Sequence, residues 1–219
     1  IYTASDTLSL HDALPISLTY FDASELESLN FVFNDNIAAS GYTYEYAFVP
    51  VVGGTEGNYI TNTIGAKFDG VFICDLDTIY KFYAGVQYGT QERVQKIGVF
   101  EPYGRKYPVV VSNGLINYST GSFSGTILPD SYFDDKVLNR VQMVQQKEQL
   151  MDFLTNKKAK ILKDWNGNCW LMIIIDNPAV SYAKNSGMGI ADAEANWIEL
   201  GDWNNQADLY NNGILEEAE

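Results

Sequence analysis

An alternation of side chains with a period of two residues limits the possible folds of this chain more than any other pattern in its sequence. Between residues 42 and 48, four aromatic rings alternate with smaller or polar side chains: Tyr42, Tyr44, Tyr46 and Phe48 against Thr43, Glu45 and Ala47. Because successive side chains of a β-strand point to opposite faces, the rings share one face. This pattern predicts a half-buried antiparallel strand, and therefore a fold rich in β-sheet.

Turn residues divide the chain into further strand candidates. Gly53-Gly54 interrupts the first run before residues 58–64 resume it, which predicts a hairpin with a glycine-containing loop. Strands are also predicted around residues 31–33, 68–75, 78–84, 94–100 and 107–111. Between residues 114 and 128, three glycines lie among Ser, Thr and aromatic residues, which predicts either two strands or one long bent strand with a bulge.

One segment has helical periodicity. Over residues 134–156, apolar positions recur at steps of three, four and seven: Val137, Val141, Val144, Met151 and Leu154. Asp134 or Asp135 can cap the start, and Lys157 and Lys158 complement the dipole at the end. We therefore predict a long amphipathic helix that lies on a sheet.

The segment after this helix contains a strong hairpin signal. Asn166-Gly167 lies between residues 160–165 and 168–175, which we predict to pair as strands, since both turn residues tolerate positive φ. Residues 190–200 fit two patterns. Their alanines alternate with polar residues as in a strand, whereas a helical stripe joins Ile190, Ala193, Trp197 and Leu200.

The chain is strongly acidic. Its 219 residues include 28 acidic and 14 basic side chains, for a formal net charge of −14. A surface of this sign repels phosphate backbones and anionic lipid headgroups, so nucleic acid and membranes are not expected partners. Solubility is the first explanation of the acidity, and attraction to a basic partner is the alternative. The apolar runs are shorter than the roughly 18 residues that span a bilayer.

The residues that catalysis and metal binding need are scarce. The single histidine, His11, lies outside the body of the chain, so a Ser-His-Asp or Cys-His arrangement is not expected. Cys74 and Cys169 stand alone in the sequence, and we interpret them as two buried free thiols. No catalytic, cofactor or metal site is therefore predicted, and we do not expect an enzyme.

Acidic residues offer two weaker possibilities. Asp69, Asp75 and Asp77 could supply oxygen ligands for calcium, but apolar residues lie between them, and a role in turns and strand ends is favoured. Glu101 or Glu199, paired with an Asp, could serve as the acid and base of a glycosidase if the two carboxyl groups lay about 5–10 Å apart. With 28 acidic residues, such pairs also arise by chance.

Aromatic and basic residues are the candidates for binding surfaces. The four tryptophans could form a sugar platform or fill the core and subunit interfaces, and the second role is favoured: Trp165, Trp170, Trp197 and Trp203. Arg105 and Lys106 could meet the acidic surface of a neighbouring subunit, with ordinary solvated charges as the alternative. We take Arg105, Lys106 and Trp203 as candidate interface residues.

The first 17 residues differ from the rest. Residues 1–17 resemble peptides that arise when sequencing-adapter DNA is translated at the broken end of an assembled metagenomic fragment. We therefore expect a non-native or disordered leader over 1–17, in a truncated open reading frame. A genuine short strand or linker is the alternative.

Two blocks of the sequence carry a family resemblance. The first begins Ile97-Gly-Val-Phe-Glu-Pro-Tyr-Gly-Arg-Lys, and the second contains Ile161-Leu-Lys-Asp-Trp-Asn-Gly-Asn-Cys-Trp and Asn204-Asn-Gln-Ala-Asp-Leu-Tyr-Asn-Asn-Gly. Over residues 67–215 the chain resembles distal tail proteins, which are tail or baseplate components of bacteriophages of Gram-positive hosts. The resemblance implies a β-sandwich or split-barrel domain with one amphipathic helix packed on it, and it places a strand at 190–200.

A second resemblance covers an earlier segment. Residues 42–66 are similar to the last two strands of a fibronectin type III domain, which implies a partial fibronectin-like β-sandwich over 18–66. Residues 216–219 would form an acidic tail. The whole chain is thus expected to be mainly β with one long helix, an α+β arrangement.

The family resemblance also implies a function. The expected protein is a structural component of the virion, made in the bacterial cytoplasm, that links the tail tube to host-binding parts. Its expected partners are other tail or baseplate proteins and copies of itself in a ring. The alternative is a carbohydrate-binding module of a cell-surface or cell-wall-degrading protein.

Overall fold

The computed structural model describes residues 2–6, 16–21, 32–88, 90–129, 131–182, 187 and 189–215. Within these ranges the chain is mainly β, with antiparallel sheets and three helices. It divides into a first unit, Ile1–Ala84 with Lys158–Met172 and Gly201–Glu219, and a second unit, Gly85–Lys157 with Ile173–Leu200. Both units combine separate chain segments, so their limits differ from the consecutive ranges 18–66 and 67–215.

The elements follow one another in this order: β1 Tyr2–Asp6, β2 Ile16–Ser17, β3 Thr43–Phe48, β4 Val51–Val52, β5 Thr55–Glu56, β6 Ile60–Gly65, β7 Val71–Cys74, β8 Ile79–Phe82, β9 Gln87–Tyr88, β10 Glu92–Phe100, β11 Val109–Thr126, α1 Ser131–Asp135, α2 Arg140–Thr155, β12 Lys160–Asp164, β13 Cys169–Tyr182, β14 Ala191–Gly201 and α3 Gln206–Asn211. Residues 169–172 of β13 belong to the first unit and residues 173–182 to the second.

A four-stranded sheet in the first unit has the order β2-β1-β3-β6. The tyrosine-rich segment forms β3, where Tyr44 is buried and faces Ile64 of β6. The predicted hairpin is the pairing of β3 with β6, and between them β4 and β5 form a smaller hairpin in which Gly53 and Gly54 adopt positive φ angles of 58° and 77°. The strand and the glycine turn predicted for this segment are confirmed.

Two expectations near the N-terminus differ from the structure. Within the range 1–17, expected to be a non-native or disordered leader, β1 pairs with β3 along Tyr2–Asp6, and β2 pairs with β1. Residues 32 and 33 form no strand, and the rest of that prediction, at Phe31, lies outside the described residues. The acidic tail expected at 216–219 lies outside them as well.

The first unit also contains strands of an eight-stranded sheet, in the order β13-β12-β7-β8. In its centre Ile161 of β12 faces Cys74 of β7 on one side and Leu171 of β13 on the other. All five β12 side chains are buried, including two lysines. This sheet and the segment around α3 share one core of buried residues: Ile16, Leu18, Ala39, Cys74, Ala159, Ile161, Cys169, Leu171, Leu209, Ile214 and Leu215.

The turn between β12 and β13 is the one predicted at Asn166-Gly167. Gly167 has a φ of 85°, and a Cβ at this position would lie 2.8 Å from the Ser40 carbonyl oxygen. The Asp164 carboxylate accepts hydrogen bonds from the N–H groups of Asn166 at 2.9 Å and Asn168 at 3.0 Å. The hairpin is confirmed, with three residues in the loop because Asp164 N–H donates to Asn168 O.

In the second unit, β10 and β11 pair as a long hairpin. The register shifts between Gln95 and Ile97, where residues 113–116 of β11 bulge opposite Lys96. One long strand with a bulge, the second of the two predicted alternatives, is therefore confirmed.

The strands of the second unit pair in the order β10-β11-β14-β13, and β9 also pairs with β11. Its strand β14 buries Ala191, Ala193, Ala195 and Trp197 in strict alternation, so the strand reading of this segment is confirmed. Gly121 of β11 pairs with Trp197 of β14. A Cβ at position 121 would lie only 3.0 Å from the indole ring, so a larger residue there would crowd the tryptophan. The described strands form open sheets, which differs from the split barrel that the resemblance implies, since the edge strands β8 and β10 each have one main neighbour.

The long helix begins later than predicted. Asn139 caps α2, since its side-chain oxygen accepts hydrogen bonds from Val141 N at 2.9 Å and Gln142 N at 3.4 Å. Asp134 and Asp135, which were expected to cap it, end the short helix α1 instead. The long helix therefore spans Arg140–Thr155 and not 134–156.

α2 also buries a different face from the predicted one. Its buried side chains are Met143, Leu150, Phe153 and Leu154. Val137, Val141 and Val144, predicted to face a sheet, are exposed. The prediction is right at Leu154, which is buried, and wrong at the valines, because the helix carries apolar residues on two sides and periodicity alone does not tell which side faces inward. The structure leaves the valine side uncovered.

Candidate interaction surface

A hairpin arm, residues 97–115 of β10, β11 and their connecting turn, exposes many apolar side chains. Each of the following is at least half exposed: Ile97, Val99, Phe100, Tyr103, Tyr107, Val110, Val111 and Leu115. Val99 faces Val110 and Phe100 follows on the opposite face of the ribbon, so both faces carry exposed apolar groups. The described residues of this chain cover neither face.

The turn at the end of the arm holds two of the candidate interface residues. Arg105 N–H donates to Pro102 O at 3.2 Å, and Gly104 has a φ of 84°, so local backbone geometry shapes the turn. The Arg105 and Lys106 side chains are both exposed, and Lys106 Nζ lies 5.4 Å from the centroid of the Tyr107 ring. The sequence thus places two cations beside an exposed aromatic ring.

The hairpin formed by β10 and β11 carries a net positive charge in an acidic chain. Residues 92–126 contain four basic side chains against two acidic ones, a net charge of +2, whereas the whole chain carries −14. Charges of opposite sign therefore lie on the arm and on the rest of the chain. Such a distribution favours contact between one copy and another.

The third candidate interface residue, Trp203, has a different environment. It lies in the first unit, where its ring packs edge-on against Tyr42 with the centroids 6.0 Å apart. The side chain is partly buried against the first unit's core. Arg105 and Lys106 share one turn, whereas Trp203 contributes mainly to packing, and its role in an interface stays a prediction.

A second uncovered surface lies on α2. We call Val141, Val144, Glu148 and Asp152 the outer face of this helix. Both valines are about half exposed or more, and the two acidic side chains are exposed. Sequence reasoning found the valines but assigned them to the core, so it missed this surface.

The first unit contains a buried polar cluster that sequence reasoning also missed. Lys163 Nζ donates to the carbonyl oxygens of Asn36 at 2.9 Å and Ala38 at 2.8 Å. The Asp35 carboxylate accepts hydrogen bonds from the N–H groups of Ile37 and Ala38 and from the Tyr46 hydroxyl at 2.8 Å. Together these bonds fix the irregular segment 35–38 onto β12 and β3, which is a structural role.

The two cysteines lie in the same buried region. Burial raises the pKa of the Cys74 thiol to about 12 and raises the pKa of Cys169 well above its ordinary value. The two flank opposite sides of β12, since Cys74 faces Ile161 and Cys169 faces Lys163. Two strand spacings place their Cα atoms about 10 Å apart, too far for a disulfide. Both thiols are free and buried, as predicted.

A cavity of about 40 Å³ adjoins this cluster, with Asn36, Cys74, Asp75, Ile161 and Leu215 in its lining. A cavity needs about 10–15 Å³ to hold one water molecule, so this one has room for a few. Pockets for sugars, nucleotides and drug-like ligands measure about 300–1,000 Å³. This cavity is therefore not a site for such ligands.

The three aspartates considered as calcium ligands are not assembled into a site in the part of the chain that the structure describes. Asp75 accepts hydrogen bonds from the N–H groups of Asp77 and Thr78, so it shapes a turn, and no group of three potential metal ligands occurs among the described residues. Glu199 accepts a hydrogen bond from Ser119 N, next to Arg93 of β10. Glu101 lies eight residues beyond Arg93 in the sequence, and a pairing of either glutamate with an aspartate stays a prediction.

The tryptophans divide between core and surface. Trp197 is fully buried, Trp170 and Trp203 are partly buried, and Trp165 is 47% exposed in the turn after β12. The core role favoured from the sequence is confirmed for Trp197. Trp165 is the ring best placed to meet a ligand or another protein.

Comparison with known proteins gives this chain no family: no protein-family model matches it, and no curated protein matches it either. Among the helices in the described ranges, none is both long enough and apolar enough to cross a membrane.

Proposed function

We propose that this chain is a structural component of a bacteriophage tail tip or baseplate, of the distal-tail type. It assembles through β-rich subunit contacts and links the tail tube to host-binding parts in the virion. The finer fold description, a β-sandwich with a helix packed on it and a fibronectin-like segment over 18–66, belongs to the same proposal. Its source is the resemblance over residues 67–215, and its physical support is the arm.

The uncovered hairpin arm is the observation that carries this proposal. Burying a large apolar side chain stabilises by about 1.5–3 kcal/mol relative to exposing it, so a row of exposed ones favours association. Contiguous apolar patches of this kind mark interaction sites in soluble proteins. An arm that is exposed on both faces suits a protein whose work is assembly.

Light scattering on the full chain tests the proposal. We expect species heavier than the 24.5 kDa monomer whose share grows with concentration, and closed rings in electron micrographs. A chain that remains monomeric up to millimolar concentration would contradict it. Open, irregular aggregates in place of rings would contradict the distal-tail type while leaving self-association in place.

The alternative function, a carbohydrate-binding module, is supported by one observation, the exposed ring of Trp165. Aromatic faces pack on the apolar edges of sugars. Titration with soluble cell-wall polysaccharide tests it: binding that is lost in Trp165→Ala but kept in Tyr59→Ala, a matched exposed aromatic in the same unit, would favour the module. Absence of binding in the unaltered chain would exclude it.

A further inference from the structure

We propose that the arm of one copy docks lengthwise on the outer face of α2 in a second copy. This inference rests on the proposed function only in requiring that the chain associates with itself. The arm of each molecule therefore binds the outer face of α2 on another molecule of the same chain.

The outer face of α2 is a continuous strip. At 100° per residue, Val141, Val144, Glu148 and Asp152 fall within about an 80° arc, and the strip is about 16 Å long. The buried residues Met143, Leu150, Phe153 and Leu154 point to the opposite side. The strip therefore faces away from the core of its own unit, with valines at one end and carboxylates at the other.

The arm has the matching order of chemistry. One face of its strands carries Ile97, Val99 and Val110, and its turn carries Arg105 and Lys106. When the arm lies along the helix, the strand side chains cover the valines and the turn reaches the carboxylates. Arginine suits this position because its guanidinium forms paired hydrogen bonds with a carboxylate.

Within one molecule this contact is not made. The arm and α2 belong to the same unit, yet the arm's apolar side chains and both valines remain exposed. Glu148 pairs with its neighbour Lys147 at 2.8 Å, and the Glu148 side chain is still 64% exposed. Exposed ion pairs contribute little, so exchanging Lys147 for Arg105 of another copy has a small penalty.

A contact between two different surfaces has a consequence for the assembly. Each copy offers both an arm and an outer face, so every copy can bind two others. Such head-to-tail contacts produce closed rings when the rotation between neighbours closes, and filaments otherwise. The inferred contact thus supplies a physical basis for the ring.

Reciprocal charge reversal tests the contact. One variant carries Arg105→Glu and Lys106→Glu, and the other carries Glu148→Lys and Asp152→Lys. We expect each variant alone to associate at least about tenfold more weakly, because like charges then face each other. An equimolar mixture is expected to recover assembly, because the glutamate turn meets the lysine helix while the unaltered turn meets the unaltered helix.

A control separates this contact from net charge. Asp69→Lys with Asp77→Lys makes the same charge change as Glu148→Lys with Asp152→Lys, but at two exposed positions of the first unit, and we expect it to associate as the unaltered chain does. Three outcomes overturn the docking contact: unchanged assembly in both reversed variants, no recovery in the mixture, or equal weakening in the control. Each of these three outcomes leaves the proposed function in place. If the unaltered chain is monomeric, however, the proposed function loses its support.

Discussion

β12 and β10 show that burial in this protein follows the position of a strand more than its composition. β12 is buried along its whole length although three of its five residues are charged. β10 contains Val94, Ile97, Val99 and Phe100, and none of its nine residues is buried. β12 pairs with β13 on one side and β7 on the other, whereas β10 pairs with β11 alone. An edge strand with apolar side chains is available to a partner, which a central strand is not.

The largest expected effect compares the same residue type on the two strands. Ile161 of β12 is 1% exposed and Ile97 of β10 is 53% exposed. Ile161→Ala is expected to lower the free energy of unfolding by about 2–5 kcal/mol, because it leaves a cavity. Ile97→Ala should change it by less than about 0.5 kcal/mol. Urea unfolding of the monomer measures both, and equal losses would break the comparison.

The second prediction compares lysines. Lys163→Met keeps an apolar stem but leaves the Asn36 and Ala38 carbonyls without their ammonium donor, so we expect a loss of about 2–4 kcal/mol in unfolding free energy. Lys96→Met, at an exposed position of β10, should be nearly neutral. Urea unfolding again measures the difference, and a neutral Lys163→Met would mean that the ammonium does not hold segment 35–38.

Features that depend on neighbouring residues were predictable from the sequence. The Gly53-Gly54 and Asn166-Gly167 turns were located correctly because positive φ is a property of the glycine itself. For β14 the residue pattern allows a strand or a helix, the resemblance favours the strand, and the structure has a strand there. The helix α3 was not predicted, although Asn205, whose side chain caps it, was a usable signal.

Features that depend on distant residues were not predictable. The bond from Lys163 to Ala38 joins positions 125 residues apart, and a lysine in the sequence normally indicates an exposed side chain. The valine side of α2 was assigned to the core because two apolar stripes compete on one helix and only tertiary contacts choose between them. The candidate surface was therefore predicted only at Arg105 and Lys106, by their charge.

The third prediction concerns Lys160, the other lysine of β12. Burial lowers its pKa to about 8, compared with about 10.4 for an unperturbed lysine. Between these values the unfolded chain binds more protons than the folded one, so the free energy of unfolding should rise with pH, by up to about 3 kcal/mol. Below about pH 8 the full penalty for the buried charge is present.

Lys160→Met should remove this rise, and Lys96→Met, the matched change on β10, should retain it. The measurement is urea unfolding at intervals from pH 7 to about pH 10.5, the interval set by the two pKa values. A Lys160→Met profile parallel to that of the unaltered chain would show that the amine is hydrated in the folded state.

The smallest expected effect compares two tyrosine hydroxyls. Tyr46 donates to Asp35 at 2.8 Å, beside the segment that Lys163 holds, whereas Tyr107 is exposed on the arm. Tyr46→Phe should lower the unfolding free energy by about 1 kcal/mol, because Asp35 keeps its two amide donors and loses only the hydroxyl. Tyr107→Phe should have no measurable effect on the monomer.

Alkaline titration followed by tyrosine absorbance separates the two hydroxyls further. Burial, and then the Asp35 carboxylate, raise the pKa of Tyr46 far above its ordinary value. Tyr46→Phe should therefore lack only that part of the tyrosinate absorbance which, in the unaltered chain, appears when the chain unfolds in alkali. If the missing signal instead titrates like that of an exposed phenol, the hydroxyl contacts water, and the contrast between a closed centre around β12 and an open arm is weaker than the geometry indicates.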